Sequence, residues 1–401
     1  MRTSALVIAA MALALAAPTV DASAEEAPGQ VAAILVQPLH DAQVVRGDDG
    51  KDHVVYTLLV VSVFDAPVTL SSVTVVGPAG KELARVDGET LAAATQELFS
   101  HALVSAIPAS GAVAVEVDVG FAPGTVPARV THRIAYTVPA GSQSAPILGP
   151  TEVDATTDDS QPSPVVASET DGPEVAIDRR RAIVIKPPLA GVGWLATTAC
   201  CTPNPHTDLR LAIDGVRIET GETFAVDWGR VEGNRLFEGD GSTNEQSYAF
   251  GADVLAVADG TVAFTQDGEP EQIPGSVRLA DRLSAIGGNK VILKIAPKVY
   301  AAYEHLQPGT LKVKVGDKVK AGAVLAKLGN TGPSTGAHLH FGLVDRPDVV
   351  TGRALPFVLD RYTVAGTVNL AASEGDTLVI SPESREVRSA YPLYGGIQNF
   401  P

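Results

Sequence analysis

Apolar and polar residues alternate along this chain in short runs, each closed by Gly or Pro. The clearest early runs are 54–64, 68–76, 113–119 and 130–138, rich in Val, Thr and Ile. A period of two puts successive side chains on opposite faces of an extended strand, so these runs predict antiparallel β-structure. Over residues 25–150 they predict an antiparallel β-sandwich, Ig-like in a broad sense. Residues 151–178 break the pattern. Seven acidic residues, no Lys or Arg, and several Ser, Thr and Pro fall within 151–176, which predicts a linker. From about 177 the pattern returns, denser in Gly, at 251–262, 288–293, 303–306 and 315–322. Each of these predicts a strand meeting a turn whose backbone needs Gly, Asn or Asp. Two polar stretches, 230–250 and 264–287, are long for plain connections and are expected to wall a cleft. Beyond 351 a further strand-like run, 361–370, predicts an extension over 351–401 packed on the second domain, itself spanning 179–350. The expected fold class is therefore all-β, in two domains.

Composition narrows the partners. The 401 residues carry a net charge of −16 with pI near 4.9, which argues against nucleic acid or an anionic membrane. Residues 1–24 have the form of a secretory signal: Arg2, an apolar run over 5–16, then Ala22-Ser23-Ala24 as a cleavage site. The run is too short to span a bilayer, and no later segment is long enough. An exported protein, periplasmic or extracellular after cleavage near Ala24, is expected. The two cysteines, Cys200 and Cys201, are adjacent. They are compatible with a vicinal disulfide, with soft metal ligands, or with a silent pair in a loop.

The chemistry concentrates in Gly332-Pro333-Ser334-Thr335-Gly336-Ala337-His338-Leu339-His340-Phe341. On a strand, His338 and His340 project from one face, with Cα atoms about 6–7 Å apart, and Leu339 faces a core. Three other pieces precede it in order: Phe224-Ala225-Val226-Asp227-Trp228, Ala258-Asp259-Gly260-Thr261-Val262 and Tyr303-Glu304-His305-Leu306. As an ordered set over roughly 185–345 they resemble the lysostaphin-like peptidoglycan zinc metalloendopeptidases. The resemblance implies a duplicated-hybrid-motif β fold and one Zn²⁺ per chain. It further implies Asp227 and His340 as metal ligands, His305 and His338 as the catalytic pair, and a peptide of the bacterial cell wall as substrate. Such a zinc keeps an open position, acidifies water and polarises the scissile carbonyl, while the two imidazoles carry protons or steady the oxyanion. No H-E-x-x-H helix is present, so a zincin arrangement is not expected.

One position departs from the resemblance. The family's first ligand is a His four residues before the Asp, and here that residue is Thr223. Asp214-Gly215 is a strong hairpin signal, and a two-residue turn there pairs Ile213 with Val216 and sets His206 opposite Thr223. Cross-strand partners share a face, so His206 is expected as the replacement ligand. The remaining histidines, His40, His53, His101 and His132, have no metal-like spacing and are expected to be structural. The rival expectation, carried by Thr223, is a degenerate protein that binds cell wall or activates a hydrolase without catalysis. A zinc peptidase acting on proteins is a third. The 315–328 run also resembles a lipoyl or biotinyl hairpin, which explains none of the histidines.

Overall fold

Strands form where the two-residue period is regular, and they assemble into two large sheets, each with its own core. The computed structural model describes residues 31–100, 102–142, 148, 151–153, 164–276, 285–374 and 376–401. The signal segment expected at 1–24 and part of the expected linker lie outside the described residues. Among the described residues no helix is long and apolar enough to cross a membrane.

In the first sheet the longest pairing joins Asp52–Ser62 to Ala112–Phe121, antiparallel from Asp52↔Phe121 to Val61↔Ala112. Val54, Tyr56, Leu58 and Val60 point inward with Val113, Val115 and Val117. They share one core with Val73, Val75, Ile134 and Tyr136 of strands Thr69–Val76 and Arg129–Pro139. On the other face of Asp52–Ser62 and Ala112–Phe121, Val55, Thr57, Ala114 and Glu116 are buried too. Val45 and Val55 belong to the core of the second sheet, so this part of the first sheet is covered on both faces. That explains why Asp52–Ser62 reads as a nearly continuous apolar run.

The expected linker is corrected here. Pro164–Asp171 pairs antiparallel with Arg129–Pro139, and Val175–Asp178 pairs with both Arg129–Pro139 and Ala42–Arg46. Acidic composition masked a period of two: Val166 and Thr170, then Val175 and Ile177, are buried, with charged residues between them. Side-chain burial on one face outweighed the disfavour for Asp and Glu in strands.

The second sheet runs in the order Ile183–Ile185, Phe357–Glu374, Gly396–Phe400, Gly191–Thr198, Val226–Arg230, Leu339–Val344, Val299–Glu304, Lys290–Ala296, Gly260–Gln266 and Lys318–Val319. Residues beyond 351 are thus hydrogen-bonded members of this sheet. Their aromatic residues complete its core: Phe400 meets Trp228 edge-on at 5.8 Å, and Trp228 Nε1 donates to Gln398 Oε1 at 3.1 Å. Three central strands matter most for chemistry. Val226 pairs with Phe341, which pairs with Tyr303, and these point into the core. Asp227, His340 and Glu304 pair in the same way and lie in a row on the opposite face.

Candidate metal centre

Asp227 is the hub of that opposite face. Its Oδ1 lies 2.9 Å from His340 Nδ1 and 3.4 Å from His338 Nε2, and its Oδ2 lies 3.1 Å from His206 Nε2. His305 completes the group, its ring 4.7 Å from that of His338 and 5.9 Å from that of His340. All five residues expected from the sequence therefore converge. His340 arrives by strand register, and His338 comes from the turn just before Leu339–Val344. His305 follows strand Val299–Glu304 with φ +59°, a left-handed conformation that turns the chain out of the strand.

Main-chain carbonyls fix three of the rings. His305 Nδ1 meets Thr331 O at 2.6 Å, His338 Nδ1 meets Gly336 O at 2.8 Å, and His206 Nδ1 meets Ala225 O at 3.3 Å. A carbonyl oxygen only accepts, so each Nδ1 carries a hydrogen and Nε2 is the nitrogen left to meet a metal or exchange a proton. In His206 and His338 that Nε2 is the atom nearest Asp227.

His206 reaches this place by a route other than the expected hairpin. Leu211–Ile213 pairs with Arg217–Glu219, and Ile213 faces Arg217 instead of Val216, one residue out of the expected register. Asp214, Gly215 and Val216 all sit in the loop, Asp214 and Gly215 both at positive φ. Pairing ends at Leu211↔Glu219, so Thr223 has no cross-strand partner at His206. His206 lies instead on the single helical turn Pro205–Asp208. Asn204 caps that turn by accepting from His206 N at 2.9 Å.

The electrostatics follow from packing one carboxylate among four imidazoles. Burial alone pushes the Asp227 carboxyl up, but His206 and His338 outweigh it and hold it well below the usual carboxylate range. Burial depresses His340, yet the hydrogen bond and charge of Asp227, helped by Glu222 and Glu304, raise it to about 10. Burial, with the neighbouring His338 and His340, pushes His305 well below the usual value against the weaker pull of Asp227.

The donor set fits a zinc ion. The nitrogens of His206 and His340 and an oxygen of Asp227 all lie within 4.8 Å of one another. Zinc bonds of about 2.0–2.2 Å in a tetrahedron put neighbouring ligand atoms about 3.3 Å apart, close to the 2.9 and 3.1 Å contacts here. A second grouping, His53, Asp118 and Cys201, is equally close. It is not a comparable donor set, because Cys200 and Cys201 are joined in a vicinal disulfide and His53 is taken by Asp118 at 2.9 Å and Asp49 at 3.3 Å. The expectation of soft cysteine ligands is set aside on that ground.

Beside the centre opens a cleft of about 600 Å³, lined by Asp227 and His338, by Leu236, Phe237 and Ser242 from one long polar stretch, and by Pro274 and Gly275 from the other. One residue on the site's own face was missed from sequence. Glu304 is 2% exposed, its Oε1 has no hydrogen-bond partner among the described residues, and burial pushes its carboxyl up. Its place immediately before His305 and across from His340 was the available signal.

Comparison with known proteins adds a family. Residues 245–351 match peptidase family M23. Among solved structures, the chain is similar to the catalytic domain of lysostaphin from Staphylococcus simulans, at 23% identity over 41% of this chain and 84% of that one, TM-score 0.22. It is also similar to a mutant catalytic domain of the prophage-encoded M23 protein EnpA from Enterococcus faecalis, at 19% over 44% and 93%, TM-score 0.25. A zinc-containing peptidase from Vibrio cholerae matches at 13% over 80% and 83%, TM-score 0.23.

Proposed function

Because the chain carries a domain of peptidase family M23 at residues 245–351, we propose that it is an exported zinc endopeptidase cutting peptide bonds in peptidoglycan stems or cross-bridges. His206, Asp227 and His340 hold the metal; His305 and His338 handle protons. The observation that carries this reading is the convergence of four imidazoles from three separate segments on one buried carboxylate.

When bound, zinc supplies Lewis acidity that acidifies water and polarises the peptide carbonyl. The chain's own residues do the rest. Carbonyls at Gly336 and Thr331 hold the Nδ1–H of His338 and His305, so a proton is taken and returned at Nε2 of these rings without tautomer change. Leu236 and Phe237 give the cleft an apolar wall for a peptide chain, and Asp240 and Ser242 give it polar contacts.

Thr223 is the feature that favours a non-catalytic cell-wall-binding or hydrolase-activating protein. His206 Nε2 at 3.1 Å from Asp227 supports the catalytic reading over that one, since it supplies the donor Thr223 lacks. Incubating the zinc-loaded protein with purified peptidoglycan and measuring newly exposed amines is the test. Amine release by wild type and none by Asp227→Ala is the expected result. A zinc-loaded wild type that releases none would overturn the enzymatic reading.

A further inference from the structure

Arg210 ends the segment that carries His206, just before strand Leu211–Ile213, and it is 3% exposed. Its guanidinium reaches the N-terminal sheet. Its Nη1 donates to Gln96 Oε1 at 3.2 Å and its Nη2 to Glu116 Oε1. Both acceptors belong to the N-terminal sheet and share one face of it. Gln96 pairs with Ala114, two residues from Glu116, and Thr57 pairs with Glu116 itself. Thr57 Oγ1 donates to both Glu116 oxygens, at 3.0 and 3.1 Å. The face is opposite the one that carries Val113, Val115 and Val117 into that sheet's own core.

A guanidinium and a carboxylate buried together are no stability device in themselves, because the cost of stripping both of water offsets much of their attraction. What they impose is position. His206 lies on a four-residue turn, not on a paired strand, so no sheet register fixes it. Upstream, the segment is tied by Asn204, whose Nδ2 donates to Ala199 O at 3.1 Å and Thr202 O at 2.8 Å. Downstream, Thr220 Oγ1 donates to His206 O at 3.0 Å, and Arg210, four residues from His206, ties the segment to the N-terminal sheet.

We propose that the N-terminal sheet completes the metal site, with Glu116, Gln96 and Arg210 acting as a clamp that positions His206. This rests on the reading of His206, Asp227 and His340 as metal ligands. A strand-borne ligand at 223 would be held by its own sheet. A ligand on the 199–210 segment depends on side-chain anchors, and the N-terminal sheet supplies the one at Arg210.

The test is a thermodynamic cycle on the full chain, measuring the zinc dissociation constant by chelator competition for wild type, Glu116→Gln, His206→Ala and the double variant. Loss of support behind a metal ligand typically weakens binding by about 10–100-fold. The clamp predicts that loss for Glu116→Gln, and no further loss when the change is made in His206→Ala. Equal weakening in both backgrounds would mean general loosening and would overturn the clamp, as would wild-type affinity in Glu116→Gln. Should Glu116→Gln not fold, Arg210→Lys keeps the charge, loses the forked reach to Gln96, and is read by the same cycle. A wild type that binds no zinc overturns the metal reading and the clamp together. Zinc binding that is lost in His206→Ala but intact in Glu116→Gln overturns the clamp alone.

Discussion

His338 and His340 are two residues apart and face the same carboxylate, yet they are held differently. His340 meets Asp227 through Nδ1 at 2.9 Å, whereas His338 spends its Nδ1 on Gly336 O and offers Nε2. In the proposed reading that difference separates a ligand from a proton carrier and gives opposite expectations for two substitutions. His340→Ala should abolish zinc binding, as read by elemental analysis; a full equivalent retained would remove it from the ligand set. His338→Ala should keep its zinc and lose turnover by about 10²–10⁴-fold. Wild-type rates in that variant would take His338 out of the chemistry. Asp227, His305, His338 and His340 were legible because each is a reactive type at a motif position, whereas His206 was reached through a hairpin register that the structure shifts by one. Glu304 was less so, since a carboxylate next to a motif histidine reads as solvent-exposed until the strand pairing buries it.

At the scale of elements, the strands were legible wherever one face is buried and the other open, and less so where both are covered or where acidic residues fill the open face. Pro164–Asp171 and Val175–Asp178 read as linker by composition, although their period is that of strands. The Asp214-Gly215 turn was correctly located, but its loop holds one residue more than assumed. A turn signal fixes where a chain reverses better than it fixes register. Strand Val226–Arg230 joins core and site: Trp228 points one way and Asp227 the other. Trp228 is fully buried, with Phe341 and Phe400 rings 6.1 and 5.8 Å away. Trp228→Ala should cost about 3–5 kcal/mol in denaturant unfolding and lower zinc affinity as the strand loosens. Unchanged stability would show that the strand is held by its ladder alone.

At the scale of the whole molecule, the N-terminal sheet is packed into the second core and not tethered beside it. Gln43 Nε2 donates to Ala354 O at 3.1 Å, and Tyr362 donates its hydroxyl to Asp48 Oδ2 at 3.1 Å. None of these long-range partners has a sequence signal, because no local period or motif relates residues more than 300 positions apart. Asp48 gives the junction a pH signature. Burial raises its carboxyl from 3.8 to about 6, against the pull of Tyr362. A carboxyl raised on folding favours the protonated fold, so its contribution is complete below about pH 4 and is lost as pH rises through about 6. Asp48→Asn keeps an acceptor for Tyr362 without the charge. Relative to it, wild type should lose about 2–3 kcal/mol of unfolding free energy between pH 4 and 7. Parallel pH profiles for the two proteins would contradict a buried, raised Asp48.

The central claim is that a histidine from outside the strand replaces the ligand missing at Thr223. It is tested most directly by the zinc content of purified wild type beside His206→Ala. About one zinc per chain in wild type and little in the variant is the predicted result. Full occupancy in His206→Ala, or none in wild type after supplementation, would contradict it.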